Sequence, residues 1–247
     1  MRVAFDLDGT IADLQGALAR VARDLFPKLD LSILPLSPLP SEGTAQDAGD
    51  EDQANPPDVS LMLSVRQERQ LWKAVCDRAN FWETLEEIEA GSLERLSRLA
   101  RERRWEIIFL TSRPETRGDT AQTQSHRWLI ARGFSVPSVF VVHGSRGSIA
   151  TALQLDVLVD DRPENCLDVA VESTACAILV WRGGEQKVLA RARQLGIVAV
   201  SSIGECLDML DREEQDRGGV LKRLKRRLGL ASRTPRTSRA SAPNPAD

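Results

Sequence analysis

Residues 2–10 read RVAFDLDGT. The apolar run Val3-Ala4-Phe5 passes straight into two aspartates one residue apart, Asp6 and Asp8, and then into Gly9 and Thr10. A short, near-continuous apolar run is the pattern of a strand covered on both faces. Two carboxylates at the end of such a strand repel one another and resist leaving water.

The same kind of run recurs along the chain. Strands are expected at 2–6, 105–110, 138–142, 157–160 and 176–181, with a weaker one at 197–200. Amphipathic helical patterns separate them at 92–103, 120–132, 148–154 and 186–195, and another follows at 203–211. Buried strands alternating with helices predict an α/β fold: a doubly wound, Rossmann-like, mostly parallel sheet with helices on both faces. The hydrophobic content of 42% over 247 residues is enough for one substantial core.

In a sheet of this kind ligands bind beyond the carboxyl ends of the strands. The first strand ends in Asp6 and Asp8, the second in Thr111-Ser112-Arg113, the fourth in Asp160-Asp161-Arg162. Neighbouring parallel strands would gather four carboxylates and two hydroxyls at one edge. Taken singly, each group also fits a helix cap. Together, oxygen donors without histidine or thiol select a hard cation, most naturally Mg²⁺.

With these elements in this order, the sequence resembles the haloacid dehalogenase superfamily of phosphatases. The stretch VLVDDRPENC, residues 157–166, is most similar to its branch containing the 5′(3′)-deoxyribonucleotidases. The resemblance spans residues 1–14 and about 91–182. It implies that Asp6 is the nucleophile toward phosphorus and that Asp8 is general acid and then base. It also implies Mg²⁺ held by Asp6, by Asp8 through its backbone carbonyl and by Asp161, with Asp160 supporting from behind. Thr111 and Ser112 would bind the phosphate.

The sequence departs from that family at one point. The family places a lysine between its second and last motifs, whereas no lysine lies between Lys73 and Lys187. By position the match is Arg146, in HGSRGS ahead of the last acidic strand. Arginine can bind phosphate through two parallel hydrogen bonds. A solvated residue at a helix start is the plain alternative, and Lys73 or Lys187 could reach in instead. Trp72, Phe81 and Trp82 could stack on a base, or form the core of an insertion.

Two regions interrupt the alternation. Residues 15–90 read as a small helical cap insertion, with helices over 14–26 and 61–78 around a flexible acidic loop at about 35–58. Residues 213–247 read as a basic, largely unstructured tail, and the α/β core then comprises 1–14 and 91–212. From Arg217 onward nine Lys or Arg face a single acid, so the remainder carries −11 of the net −3. Such a tail could meet nucleic acid or an acidic surface, although charge runs are usually only solvated.

The four cysteines form no C-x-x-C pair and read as reduced thiols. With the first strand opening the chain and no apolar run long enough to span a membrane, the expected location is cytoplasmic. Three functions remain open on these residues: a Mg²⁺-dependent phosphatase for a small phosphomonoester such as a nucleotide, a binding or regulatory protein without turnover, and a phosphatase for nucleic-acid ends. Oligomeric state is not readable.

Overall fold

In the computed structural model the structure describes residues 1–27 and 63–215, with side chains followed to residue 212. Val3, Ala4 and Phe5 are fully buried in β1 (Arg2–Asp6), near the middle of a six-stranded sheet. Its other strands are β2 (Glu106–Thr111), β3 (Ser138–Val141), β4 (Val157–Asp160), β5 (Cys176–Val180) and β6 (Val198–Val200). The order is β3-β2-β1-β4-β5-β6, and every described pairing is parallel. The mostly parallel, doubly wound sheet expected from the sequence is thus parallel throughout.

Alternate residues of each strand serve opposite faces. Val3, Phe5, Ile107, Phe109, Val157 and Val159 pack with α1 (Leu14–Leu25), α3 (Ser92–Arg103), α4 (Ala121–Ala131) and α8 (Ile203–Gln215). Ala4, Ile108, Leu110, Leu158 and Leu179 pack with α5 (Arg146–Ala152), α6 (Pro163–Glu172) and α7 (Gln186–Gln194). Covering both faces explains why the strands read as unbroken apolar runs.

Most boundaries fall within two residues of expectation, and α5 shows what shifts one by that much. Apolar periodicity starts that helix at Ser148, but it begins at Arg146. The Ser145 hydroxyl accepts from the backbone N–H of Gly147 (3.1 Å) and Ser148 (3.3 Å), which caps the helix earlier. Likewise α2 (Val65–Cys76) starts later than periodicity suggests, behind a capping box between Ser64 and Gln67.

The insertion leaves and rejoins the core through paired backbone. Asp13 N–H donates to the Glu86 carbonyl (2.8 Å) and Ile88 N–H to the Ile11 carbonyl (2.9 Å). Leu18 and Val21 of α1, Leu71 and Val75 of α2, and Phe81 and Trp82 of a short 3-10 helix (Phe81–Thr84) belong to the same apolar cluster as β1 and β2. The described part of the insertion therefore shares the core of the sheet. The acidic segment at 35–58 and the chain beyond residue 215 lie outside the described residues.

Candidate active site

Strand order reverses at β1: β2 and β3 follow on one side, β4 to β6 on the other. Such a switch leaves a crevice between the carboxyl ends of the two diverging strands, here β1 and β4. Register then decides which side chains meet there. Asp6 pairs with Leu110, and Phe5 with Val159, so Asp6 and Asp160 end their strands level with one another. Thr111 and Asp161 come one residue further on.

Asp6 is buried at 7% exposure and its Oδ1 accepts from Arg146 Nη2 at 3.0 Å. Arg146 is equally buried, with Nε 3.8 Å from Asp160 Oδ2 and without a hydrogen-bond acceptor. Asp160 accepts from Arg162 N–H and from Asn165 Nδ2, both at 2.9 Å. Thr10 Oγ1 donates to Asp161 Oδ1 at 2.8 Å. Burial, then Asp160, raise the Asp6 carboxyl well above the usual range, against the lowering by Arg146. Burial and Asp161 push Asp160 up to about 7, and burial and Asp6 do the same to Asp161. Burial disfavours the Arg146 charge, but Asp6 and Asp160 more than compensate and hold it above its ordinary value. Three acids thus crowd this end of the sheet, with Arg146 set against Asp6 and Asp160 and Arg182 acting on Asp161.

Asp8 has a different environment. Its Oδ2 accepts from Thr111 Oγ1 (2.8 Å) and Arg113 Nε (2.9 Å), and its Oδ1 from Arg113 Nη2 (2.7 Å). The Arg113 side chain is completely buried. Its Nη1 donates to Ser125 Oγ (2.8 Å), and its guanidinium lies 4.9 Å from the Trp82 ring centroid and 5.9 Å from that of Trp128. Trp82 and Phe81 are buried, as the core reading of these aromatics expects, so neither offers an open face to a base.

Between the two aspartates and the insertion the chain makes a tight turn. Ile11 and Ala12 N–H donate to the Leu7 carbonyl, and Gly9 N–H to the Ala12 carbonyl. Gly9 has φ +88°, and a Cβ there would lie 2.3 Å from Asp161 Oδ2, so only glycine fits. Arg182, just past β5, donates to the Gly9 carbonyl (2.8 Å) and the Thr10 carbonyl (3.0 Å), and pairs with Glu89 at 3.1 Å. Glu89 in turn accepts from Ile203 and Gly204 N–H at the start of α8. Burial raises the Glu89 carboxyl, but these two N–H groups and Arg182 bring it below its ordinary range.

The donor set suits a hard cation. Among the described residues the Asp8 carbonyl takes none of the hydrogen bonds of this turn, whose N–H groups go to Leu7 and Ala12. Asp6 and Asp161 each have a second carboxylate oxygen beyond the one already bonded. No group of three or more His, Cys, Asp or Glu side chains suited to a metal occurs among the described residues. A site of two carboxylates and one carbonyl needs no third, since Mg²⁺ usually keeps several waters.

Of the residues singled out by sequence, Asp6, Arg146, Asp160 and Asp161 thus share one crevice. The Thr111 hydroxyl, expected on a phosphate oxygen, donates to Asp8, and Ser112 is half-buried beside it. Lys73 is exposed on α2, and Lys187 is exposed on α7 on the opposite face. Sequence reasoning missed Thr10, Arg113, Asn165 and Arg182 as contacts of the site. Thr10, Arg113 and Asn165 lie within or directly beside the quoted motifs, whereas Arg182 carried no signal.

No family model and no curated protein matches the sequence. Among solved structures the chain resembles a HAD family hydrolase from Deinococcus radiodurans R1 with bound phosphate and sodium, at 18% identity over 83% of this chain and 92% of that one (TM-score 0.48). It also resembles a hydrolase from Pseudomonas syringae (16%, 86% and 99%, 0.48). A haloacid dehalogenase-like family protein from Streptococcus pneumoniae is similar to the same degree (19%, 85% and 97%, 0.45). No described helix is long and apolar enough to cross a membrane.

Proposed function

We propose that the chain is a phosphatase of the haloacid dehalogenase type, hydrolysing a small phosphomonoester with Mg²⁺. The observation that carries this reading is the pair Asp6–Arg146: a buried carboxylate at the sheet's switch point, beside a buried guanidinium whose Nε has no acceptor. An unpaired buried donor is costly, and a phosphate oxygen would satisfy it.

In the reaction an Asp6 oxygen attacks phosphorus, the ester P–O bond breaks and Asp8 protonates the departing oxygen. Asp8 then takes a proton from water as the water attacks the aspartyl-phosphate, and the Asp6 O–P bond breaks to release phosphate. Arg146 orients the phosphoryl group and balances its charge. Asp6, the Asp8 carbonyl and Asp161 would hold Mg²⁺, which would supply further charge neutralisation there. Nucleotides are the substrate class suggested by the likeness of residues 157–166 to the deoxyribonucleotidase branch.

The test is turnover of an aryl phosphate and a nucleoside monophosphate panel with and without Mg²⁺. Metal-dependent hydrolysis abolished by Asp6→Asn is expected; hydrolysis indifferent to that substitution overturns the reading.

A second reading, an ion-binding protein without turnover, is favoured by one feature: Arg146 itself occupies an oxygen of Asp6 where the family carries lysine. Under it Arg146→Lys creates activity in a Mg²⁺-binding but inactive wild type. An active wild type excludes it.

A further inference from the structure

We propose that Arg113 is a positioning residue of this reaction, acting through Asp8. The inference rests on the phosphatase reading above and assigns a role that the acid at the first strand does not itself explain.

Asp8 lies beyond the end of β1, in the turn that follows it. The direction of the Asp8 side chain is set by Arg113. Two guanidinium nitrogens reach both carboxylate oxygens at 2.7 to 3.0 Å, and the third donates to Ser125 Oγ, which donates in turn to the Ala121 carbonyl. Every nitrogen of Arg113 is thereby committed, and the planar fork fixes the carboxylate in orientation as well as distance.

The guanidinium is also held from the sides. Trp82 and Trp128 flank it, and each ring is anchored through its own N–H, Trp82 to the Pro114 carbonyl (3.0 Å) and Trp128 to the Leu85 carbonyl (2.7 Å). Gln124 Oε1 receives the Trp82 backbone N–H at 3.0 Å. The return segment of the insertion, the end of β2 and α4 therefore converge on one cation whose outlet is Asp8. An acid that must meet a departing oxygen at a defined angle gains from such a mount.

A purely structural ion pair would lower activity on any substrate alike. A mount for the general acid predicts a loss that depends on the leaving group. The measurement is kcat/KM, which reports steps up to leaving-group departure, for β-glycerophosphate and p-nitrophenyl phosphate. The second leaves as a stabilised phenolate and needs little protonation.

Arg113→Gln is expected to cost about 100-fold on the glycerol ester, the lower end of what a positioned acid contributes, and only a few-fold on the aryl ester. Arg113→Lys should recover part of the loss, because one ammonium cannot reproduce the fork. Ser125→Ala, which keeps the ion pair, should show the same leaving-group dependence in milder form. In Asp8→Asn the further change Arg113→Gln should add little on the glycerol ester, since both act as one unit.

Equal losses on both esters, or full additivity with Asp8→Asn, overturn the proposal while leaving the phosphatase reading intact. A wild type that hydrolyses neither these esters nor any nucleoside monophosphate of the panel overturns that reading, and the positioning role with it.

Discussion

Asp6 and Asp8 sit two residues apart in opposite electrostatic settings. Asp6 has three acidic neighbours and one guanidinium; Asp8 has a guanidinium to itself. Asp8→Asn strands the fully buried Arg113 without its anion, and a cost of about 3–5 kcal/mol is expected. Asp6→Asn relieves repulsion and leaves Arg146 beside Asp160, so a much smaller change should appear in urea unfolding.

Residue-scale electrostatics also fixes a pH dependence. Asp160 and Asp161 bind their protons up to about pH 7 when folded but lose them near 3.8 when unfolded. Their contribution to metal-free stability is complete below the unfolded value and is lost as pH rises toward 7. Deprotonated acids are what Mg²⁺ binds, so thermal scans should show a larger Mg²⁺ shift at about pH 8 than at about pH 6.

Asp6, Asp160 and Asp161 were legible because carboxylates at strand ends have few explanations. Arg113 was not, since beside Thr111-Ser112 it resembles a phosphate ligand, and nothing local announces Trp82 or Trp128 as its walls.

At the scale of the element, α5 is the means by which Arg146 reaches Asp6. Its first turn lies against α6: a Cβ on Gly147 would stand 2.2 Å from the Asp168 carbonyl oxygen and 2.6 Å from Glu172 Cβ. The hydroxyls of Ser145 and Ser148 donate to Glu172 Oε2 at 2.6 and 2.9 Å, and Thr151 to the Glu172 carbonyl. Gly147→Ala should therefore push the helices apart, at about 1–3 kcal/mol for overpacking. It should also lower kcat by displacing Arg146. Unchanged melting and kinetics would show that α5 yields without moving its first residue.

Strand and helix alternation was readable because the sheet is covered on both faces and its apolar runs are unbroken. Helix starts were not, where hydroxyl caps such as Ser145 and Ser64 override apolar periodicity.

At the scale of the molecule, parallel strand order places the crevice between β1 and β4 and brings segments distant in sequence to one point. That the strand ends would converge could be foreseen from the pattern alone. The brace across the sheet could not, because Arg182 and Glu89 stand next to no motif and each is ordinary in composition. Arg182 grips the carbonyls of Gly9 and Thr10, while Glu89 holds both Arg182 and the start of α8. Arg182→Met should loosen the turn that carries the Asp8 carbonyl and weaken Mg²⁺ affinity several-fold by calorimetry, with secondary structure retained by circular dichroism. An unaltered affinity would mean that the turn holds its shape alone.

The brace also bears on how the protein is made. β1 leaves the ribosome before any of its partners, yet Gly9 and Thr10 are secured only once Arg182 and the first residues of α8 have followed. A nascent chain would thus carry its acids uncommitted until Arg182 and the first turn of α8 have emerged, and the crevice would take its final shape only then.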